Sequence, residues 1–234
     1  MSQLKEFSPK THDEGHLRVG VPVEAARFFE DAKISLGKLV RPVMNEIIPS
    51  LDRLSGKWHP LGFMVYHLGV DKHGQSLRLH IWPEGGRPTS ERGPHIHNHA
   101  WDLASFVLAG TYSDSIQRVA NSNFTEDDGS EVLRPFKLRY KTDGLDTFDT
   151  DGTLCTVERV EERIRVEGET HEIPHGVFHI PTIPTDQLTA TLVLDSLSYG
   201  YDTTVMIVGE KRPFQVQRRP ITPEEARRAT EQRL

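Results

Sequence analysis

Three histidines at a spacing of two residues, His95, His97 and His99, precede an apolar stretch at residues 104–109. In a β-strand alternate side chains lie on one face, so an extended His97-x-His99 segment directs two imidazoles to the same point. Imidazole is a ligand for zinc, copper, iron and nickel. Taken alone, the run predicts either a metal site or an exposed histidine-rich loop.

A second segment, Gly168–His179, combines turn residues with three further histidines, the last of which is His179. Proline fixes its own φ and glycine permits a tight bend, so Pro174-x-Gly176 predicts a tight turn between two strands. His179 is then expected at a defined position at the start of the second strand.

Together the two segments resemble the paired signatures of the cupin superfamily, over residues 62–208. The second signature, Gly-x5-Pro-x-Gly-x2-His, is matched in full at Gly168, Pro174, Gly176 and His179. The first, His-x-His-x3-Glu-x6-Gly, is matched except at the glutamate, by His97, His99, Leu103 and Gly110. The resemblance implies a jelly-roll barrel (a double-stranded β-helix) with a divalent metal ion on His97, His99 and His179.

Leu103 stands where many cupins have a glutamate ligand. On a regular strand Leu103 shares the inward face with His97 and His99, whereas Asp102 points outward. We therefore expect three neutral histidine ligands, with the other coordination positions open, as a catalytic metal requires. This arrangement resembles the thiol dioxygenases among the cupins, in which three histidines hold Fe(II), and also a group of poorly characterised bacterial cupin-like proteins.

Other residues near the two motifs are candidates for the site. His95 shares the strand parity of His97 and His99, so it either replaces one of them or lines the mouth. The candidate catalytic residues are His95 and Tyr112. We expect His171 and His175 at the rim or behind the ligands. Glu172 either orients a ligand histidine or is a plain surface residue.

The segment Ser76–Trp82 alternates, with Leu77, Leu79 and Ile81 on one face and polar side chains on the other. If the polar face lines the barrel, Arg78 is placed to bind a substrate carboxylate through its guanidinium fork; otherwise it faces solvent. The expected substrate-binding residues are Arg78, His80, Trp101 and Ser105.

The composition excludes several classes of protein. The chain has 234 residues and a formal net charge of −6, and its basic residues are dispersed, so it lacks the footprint of a nucleic-acid-binding protein. The sequence predicts no transmembrane segment and no signal peptide. Cys155 is the single cysteine, which excludes an internal disulfide and favours a cytoplasmic location. We expect Cys155 to be a small buried residue.

The order of elements predicts a mainly β protein, a single cupin jelly-roll barrel with N-terminal helices and a short C-terminal helix. Residues 1–20 are expected to be loosely ordered. Apolar residues between Val23 and Leu54 recur at three and four and predict two helices, interrupted near Gly37 and Pro42. Their apolar face needs a partner, either the outside of the barrel or a second subunit. We divide the chain into a helical extension (1–60), the barrel (61–210) and a tail (211–234).

Short strands separated by turns are predicted from Gly62 to Val208, with loops or hairpin tips at residues 121–130 and 141–153. Two of these strands are Leu154–Val160 and Arg163–Val166. At the end of the chain, Thr222-Pro223-Glu224-Glu225 predicts a capped helix. Because the residues after it are mostly polar, this helix is expected to be solvated or to dock on a partner subunit.

Three functions remain open on the sequence. The first is an Fe(II) dioxygenase acting on a small thiol or carboxylate. The second is a non-redox isomerase, lyase or decarboxylase that uses zinc, nickel or manganese at the same histidines. The third is a cupin that binds a small ligand without catalysis. By resemblance to the cupins, a homodimer is expected.

Overall fold

The computed structural model describes residues 23–85, 87, 96–121, 133–141 and 144–232. Helix α1 spans Val23–Pro42 and continues as a π-helical segment, Val43–Ile47, and a 3-10 helix, Ile48–Arg53. The predicted break at Gly37 is absent, since a single glycine inside a helix costs only about 1 kcal/mol relative to alanine. The break near Pro42 is where the π-helical segment begins.

Fourteen strands and a second helix, α2 (Pro223–Glu231), follow within the described residues. The strands are β1 Gly56–Trp58, β2 Met64–Val70, β3 Ser76–Trp82, β4 Ile96–His97, β5 Leu103–Ala109, β6 Thr111–Asn121, β7 Leu133–Arg139, β8 Leu145–Asp149, β9 Cys155–Val166, β10 Thr170–Ile173, β11 Phe178–Thr182, β12 Thr189–Asp195, β13 Thr203–Val208 and β14 Phe214–Gln217. The predicted mainly β fold with helices at both ends is confirmed.

The strands form two antiparallel sheets. A six-stranded sheet has the order β1-β2-β3-β12-β5-β10, and an eight-stranded sheet has the order β13-β4-β11-β6-β9-β7-β8-β14. Strand β13 also pairs with β7, so the part of the eight-stranded sheet from β13 to β7 closes on itself. The inner faces of the two sheets enclose a cavity.

The two faces of the six-stranded sheet have different surroundings, an apolar core on one side and the cavity on the other. Leu79 and Ile81 belong to an apolar core that also contains Phe29 and Leu36 of α1. The N-terminal helix therefore covers the outside of the barrel, which answers the question of what its apolar face contacts. Arg78, on the opposite face of β3, lines the cavity.

Two segments depart from the predicted strands and loops. Residues 145–149, expected in a loop or a hairpin tip, form strand β8, in which Phe148 stacks on Phe214 of β14 with ring centroids 4.5 Å apart. Residues 155–166 form one long strand instead of two, paired along its length with β6. The expectations for residues 1–20 and most of 121–130 lie outside the described residues.

Helix α2 begins as predicted, with a capping box between Thr222 and Glu225. It is not a freely solvated element, since Ala226 and Ala229 are buried in the core that contains Leu51. Their small side chains allow the otherwise polar helix to lie close to the 3-10 segment. Cys155 is buried, as expected. Among the described residues, no helix is both long and apolar enough to span a membrane.

Candidate metal centre

Three histidines from the two sequence motifs meet at one buried point. His97 on β4 and His179 on β11 are direct cross-strand partners, and His99 follows β4 by two residues. The possible ligand atoms of all three lie within 4.8 Å of one another, and Nε2 of His99 lies 3.1 Å from Nε2 of His179. The structure thus brings together the three predicted ligands.

The separation of these nitrogens fits a shared metal ion. Two imidazole nitrogens, each at the ~2.0–2.1 Å typical of zinc, lie about 2.9–3.4 Å apart for ordinary coordination angles. Nitrogen donors suit zinc, iron, copper and nickel, whereas magnesium and calcium prefer oxygen donors. The donor set therefore fits a transition-metal ion held by His97, His99 and His179.

His99 lies outside the regular strand and is positioned by its neighbours. The backbone N–H of Asn98 donates to the Thr204 carbonyl at 3.0 Å, and the Asn98 side-chain oxygen accepts from the Thr204 N–H at 2.7 Å. The backbone N–H of Gly176 donates to the His99 carbonyl at 2.9 Å. Because Gly176 belongs to the second motif, the predicted tight turn helps to position a histidine of the first.

Asp114 is a fully buried carboxylate behind His179. Its Oδ1 lies 2.8 Å from Nδ1 of His179, and its Oδ2 lies 3.3 Å from Nε2 of His171. Burial by itself would raise the pKa of Asp114, but the charges and hydrogen bonds of His179 and His171 lower it below its ordinary value. An ionised Asp114 accepts the Nδ1 proton of His179, which leaves Nε2 as the atom for a metal.

Burial also affects the protonation of one histidine of this group, His99. It lowers the pKa of His99 well below the ordinary value, and the neighbouring His97 and His179 lower it further. A neutral imidazole is the form that binds a metal.

Leu103 lines the cavity, at the position of the missing glutamate. Asp102 is absent from the cavity lining, in line with its predicted outward direction, and is fully buried. It accepts hydrogen bonds from the backbone N–H of His175 at 2.8 Å and from the Tyr199 hydroxyl at 2.7 Å. Loops cover this carboxylate, so it stabilises the segment after His99 and supplies no ligand.

The cavity beside the three histidines has a volume of about 750 Å³. Tyr112 and all four expected substrate-binding residues line it, namely Arg78, His80, Trp101 and Ser105. His95 lies outside the described residues. Of the flanking residues, His171 reaches the ligands through Asp114, His175 contacts Asp102, and Glu172 is exposed on the surface.

Two antiparallel sheets enclose a buried group of three histidines that comes from both signature segments. These are the fold and the metal-site residues that the resemblance implies. The fold is cupin-like.

No family model and no curated protein matches the chain, whereas comparison with solved structures finds several similar folds. An oxalate oxidase is 18% identical, with 62% of this chain and 55% of that one covered and a TM-score of 0.34. Hydroquinone 1,2-dioxygenase from Sphingomonas sp. TTNP3 is 12% identical (56% and 64% covered, TM-score 0.33). A cupin-like protein from Thermotoga maritima is 17% identical (72% and 85% covered, TM-score 0.27).

The chain spans about half the length of that oxalate oxidase, and 51% of a DMSP lyase structure, which is 15% identical over 60% of this chain with a TM-score of 0.31. Similarities this weak say nothing about the reaction or the substrate. The side chains of the cupin-like cavity are therefore the basis for the function.

Arg78 does not present an unpaired guanidinium to the cavity. It forms an ion pair of 2.5 Å with Asp195 and lies 5.6 Å from the centre of the Trp101 ring. Burial raises the pKa of Asp195, against the opposing effect of Arg78. A substrate carboxylate at Arg78 would have to share the guanidinium with Asp195.

Aromatic side chains form one wall of the cupin-like cavity. Phe63 lies 4.6 Å from Trp82 and 4.9 Å from His80, and Trp82 lies 5.9 Å from Tyr112, measured between ring centroids. Burial, followed by the charge of Arg78, lowers the pKa of His80 well below its ordinary value. Burial raises the pKa of Tyr112, with Asp114 adding to the effect. Both side chains are therefore neutral at pH 7.

Asp114 and Asp195 are two residues of the site that are not among the residues predicted from the sequence. Asp114 lies two residues after Tyr112 and two residues before Ile116 on β6, so the three side chains share the inward face of the strand. This spacing was the available signal for Asp114. Asp195 ends a strand whose seven residues are all buried, from Thr189 to Asp195. In both cases a carboxylate at an inward position of a strand was the available sign.

Proposed function

We propose that this cupin-like protein is a non-haem Fe(II) dioxygenase that acts on a small polar molecule bearing a thiol or a carboxylate. The observation that supports this proposal is the ligand group itself, three buried histidines without a carboxylate among the described candidates. Three protein ligands leave positions at which a substrate and dioxygen can bind together.

The residues of the chain would hold, orient and shield the reactants. Fe(II) bound by His97, His99 and His179 would supply the redox chemistry with dioxygen. The aromatic wall keeps bulk water away from one side of the cavity and restricts the orientation of a substrate. Tyr112 retains its proton and is therefore a hydrogen-bond donor to a bound ligand.

The proposal is tested by metal analysis followed by an oxygen-uptake assay. We expect protein purified without chelators to contain about one metal ion per chain. The Fe(II)-loaded protein is expected to consume dioxygen with at least one compound of a panel of thiols and small carboxylates. Absence of bound metal, or of uptake with the whole panel, would overturn the dioxygenase assignment.

The same assay separates the two other functions. Bound zinc, nickel or manganese with turnover but no oxygen uptake indicates an isomerase, lyase or decarboxylase. Saturable binding of a small molecule without turnover, unchanged when His179 is replaced by alanine, indicates a binding protein.

We further propose that the protein is a cytoplasmic homodimer. Helix α1 already covers the outer face of the six-stranded sheet, so the second subunit is expected on another surface. Light scattering during size-exclusion chromatography tests the dimer, and cell fractionation tests the location.

A further inference from the structure

A second, much smaller cavity lies beside His97, with a volume of about 30 Å³. The imidazole of His97 lines this small cavity and also the large cavity that contains the three histidines. We call the small cavity the apolar chamber. One of the three candidate metal ligands therefore borders two spaces of very different size.

Most side chains in the described lining of the apolar chamber are hydrocarbon. Six of them come from strands β7, β8, β13 and β14, namely Leu138, Phe148, Val205, Ile207, Phe214 and Val216. These six side chains pack in one apolar cluster of the core. A cavity with such walls tends to stay free of water, whereas it binds xenon or a small apolar molecule. The lining therefore favours an apolar guest.

The polar side chains in this lining interact with neighbours outside the apolar chamber or within its wall. Oδ2 of Asp146 forms an ion pair with Nε of Arg218 at 2.9 Å. Nδ1 of His59 accepts a hydrogen bond from the backbone N–H of Leu61 at 3.2 Å. The guanidinium carbon of Arg218 also lies 5.6 Å from the centre of the Tyr140 ring. These contacts reduce the capacity of the polar groups to hold a water molecule in the chamber.

The size of the apolar chamber limits the class of guest that it can take. A single water molecule needs ~10–15 Å³, so a chamber of about 30 Å³ has room for a diatomic gas or a noble-gas atom. The thiols and carboxylates proposed as substrates are larger, and they fit the cavity of about 750 Å³. Dioxygen is small and apolar, and transfer of an apolar molecule from water to an apolar site is favourable.

We propose that the apolar chamber is a binding site for dioxygen beside His97, separate from the large cavity that takes the organic substrate. This proposal deepens the proposed function, and only the identity of the gas rests on that function. With an organic molecule in the large cavity, the chamber would still hold dioxygen next to a ligand of the metal. The two reactants would then not compete for the same space.

Xenon and dioxygen are the probes that test the apolar chamber, in full-length protein loaded with diamagnetic zinc. Anomalous scattering from crystals pressurised with xenon should locate a xenon atom in the chamber. In solution, dissolved dioxygen should relax the methyl groups of Ile207, which line the chamber, at least threefold faster than those of Ile81. Ile81 is equally buried, in the core that includes helix α1. A chamber without xenon, or equal relaxation of the two isoleucines, would overturn the proposal.

Val216 is the position at which the volume of the apolar chamber can be changed, because it is only half-buried, on strand β14. V216F should fill the chamber and reduce the xenon occupancy and the relaxation of Ile207 at least threefold. V216A should retain or increase both signals. The matched control is V70F, the same substitution at a residue of β2 that is 69% exposed, and it should change neither signal. Equal losses in V216F and V216A, or a loss in V70F, would contradict the assignment to the chamber.

The oxygen-uptake assay separates this proposal from the proposed function. With a compound that supports uptake, V216F should raise the KM for dioxygen at least threefold and leave the KM for the compound unchanged. Gas bound in the apolar chamber without oxygen uptake would overturn the dioxygenase assignment, and dioxygen as the natural guest with it. Oxygen uptake by a protein whose chamber binds no gas would overturn the chamber and leave the dioxygenase assignment intact.

Discussion

At the scale of single residues, Asp114 determines which nitrogen His179 presents to a metal. Replacing Asp114 by asparagine keeps the size of the side chain but removes the charge that accepts the Nδ1 proton. Loss of such a carboxylate partner typically lowers metal affinity about 10- to 100-fold. We expect this loss for D114N, measured by competition with a chromophoric chelator.

Asp102 provides the matched control for that experiment. It is equally buried, but its hydrogen bonds go to His175 and Tyr199 and not to a ligand histidine. D102N should therefore lower the free energy of unfolding, by about 1–3 kcal/mol, while changing metal affinity little. Equal effects of D102N and D114N on metal affinity would contradict a special role for Asp114.

His179 and His175 are only four residues apart, but only His179 belongs to the group of candidate metal ligands. H179A should abolish stoichiometric binding of a divalent metal, because it removes one of three ligands. H175A should retain it, since His175 contacts Asp102 outside the cavity. Elemental analysis of both purified variants tests this difference in metal binding. Metal retained in H179A would exclude the proposed ligand set.

At the scale of elements, helix α1 stabilises the barrel through one face only. Phe29 is buried in the core shared with the six-stranded sheet, whereas Ile34 is 57% exposed. F29A should lower the free energy of unfolding by about 3–5 kcal/mol, the cost of a large cavity in a core. Urea denaturation measures this loss.

The control on the same helix is I34A, which should change stability by no more than about 0.5 kcal/mol. Similar small effects of F29A and I34A would mean that α1 does not pack on the barrel. A large effect of I34A would instead point to a second subunit on the exposed face.

At the scale of the whole molecule, stability depends on pH through buried histidines. The pKa of His80 is lowered well below 6.5, chiefly by burial, so below pH 6.5 the unfolded chain binds a proton that the folded chain does not. The free energy of unfolding should therefore fall as the pH decreases from 6.5, by at most about 1.4 kcal/mol per pH unit for this group.

The test is urea denaturation of metal-free protein between pH 5.0 and 7.5, with H80F as the comparison. The slope below pH 6.5 should be shallower in H80F. Asp114 does not produce this slope, because its lowered pKa keeps its contribution constant until the pH falls below the ordinary aspartate range. An unchanged slope in H80F would contradict the assignment of the effect to His80.

Much of the site was predictable because it depends on local spacing. The period of two assigned Leu79 and Arg78 to opposite faces of β3, and the structure places them so. By contrast, strand β8 was missed, because its formation depends on Phe148 meeting Phe214 across the chain. The domain boundaries at residues 60 and 210 stay predictions, and so does a catalytic role for His95.

The sequence by itself predicted the mainly β fold and, through its resemblance to the cupin signatures, the three candidate histidine ligands and the leucine in place of a glutamate. The strand pattern follows from local residue spacing, whereas the ligand set follows from the resemblance to the cupin signatures. Only the tertiary structure decided that Asp114 supports His179 and that Asp195 pairs with Arg78. These contacts join residues far apart in the chain. Charge pairing and burial, which act through space, determine them.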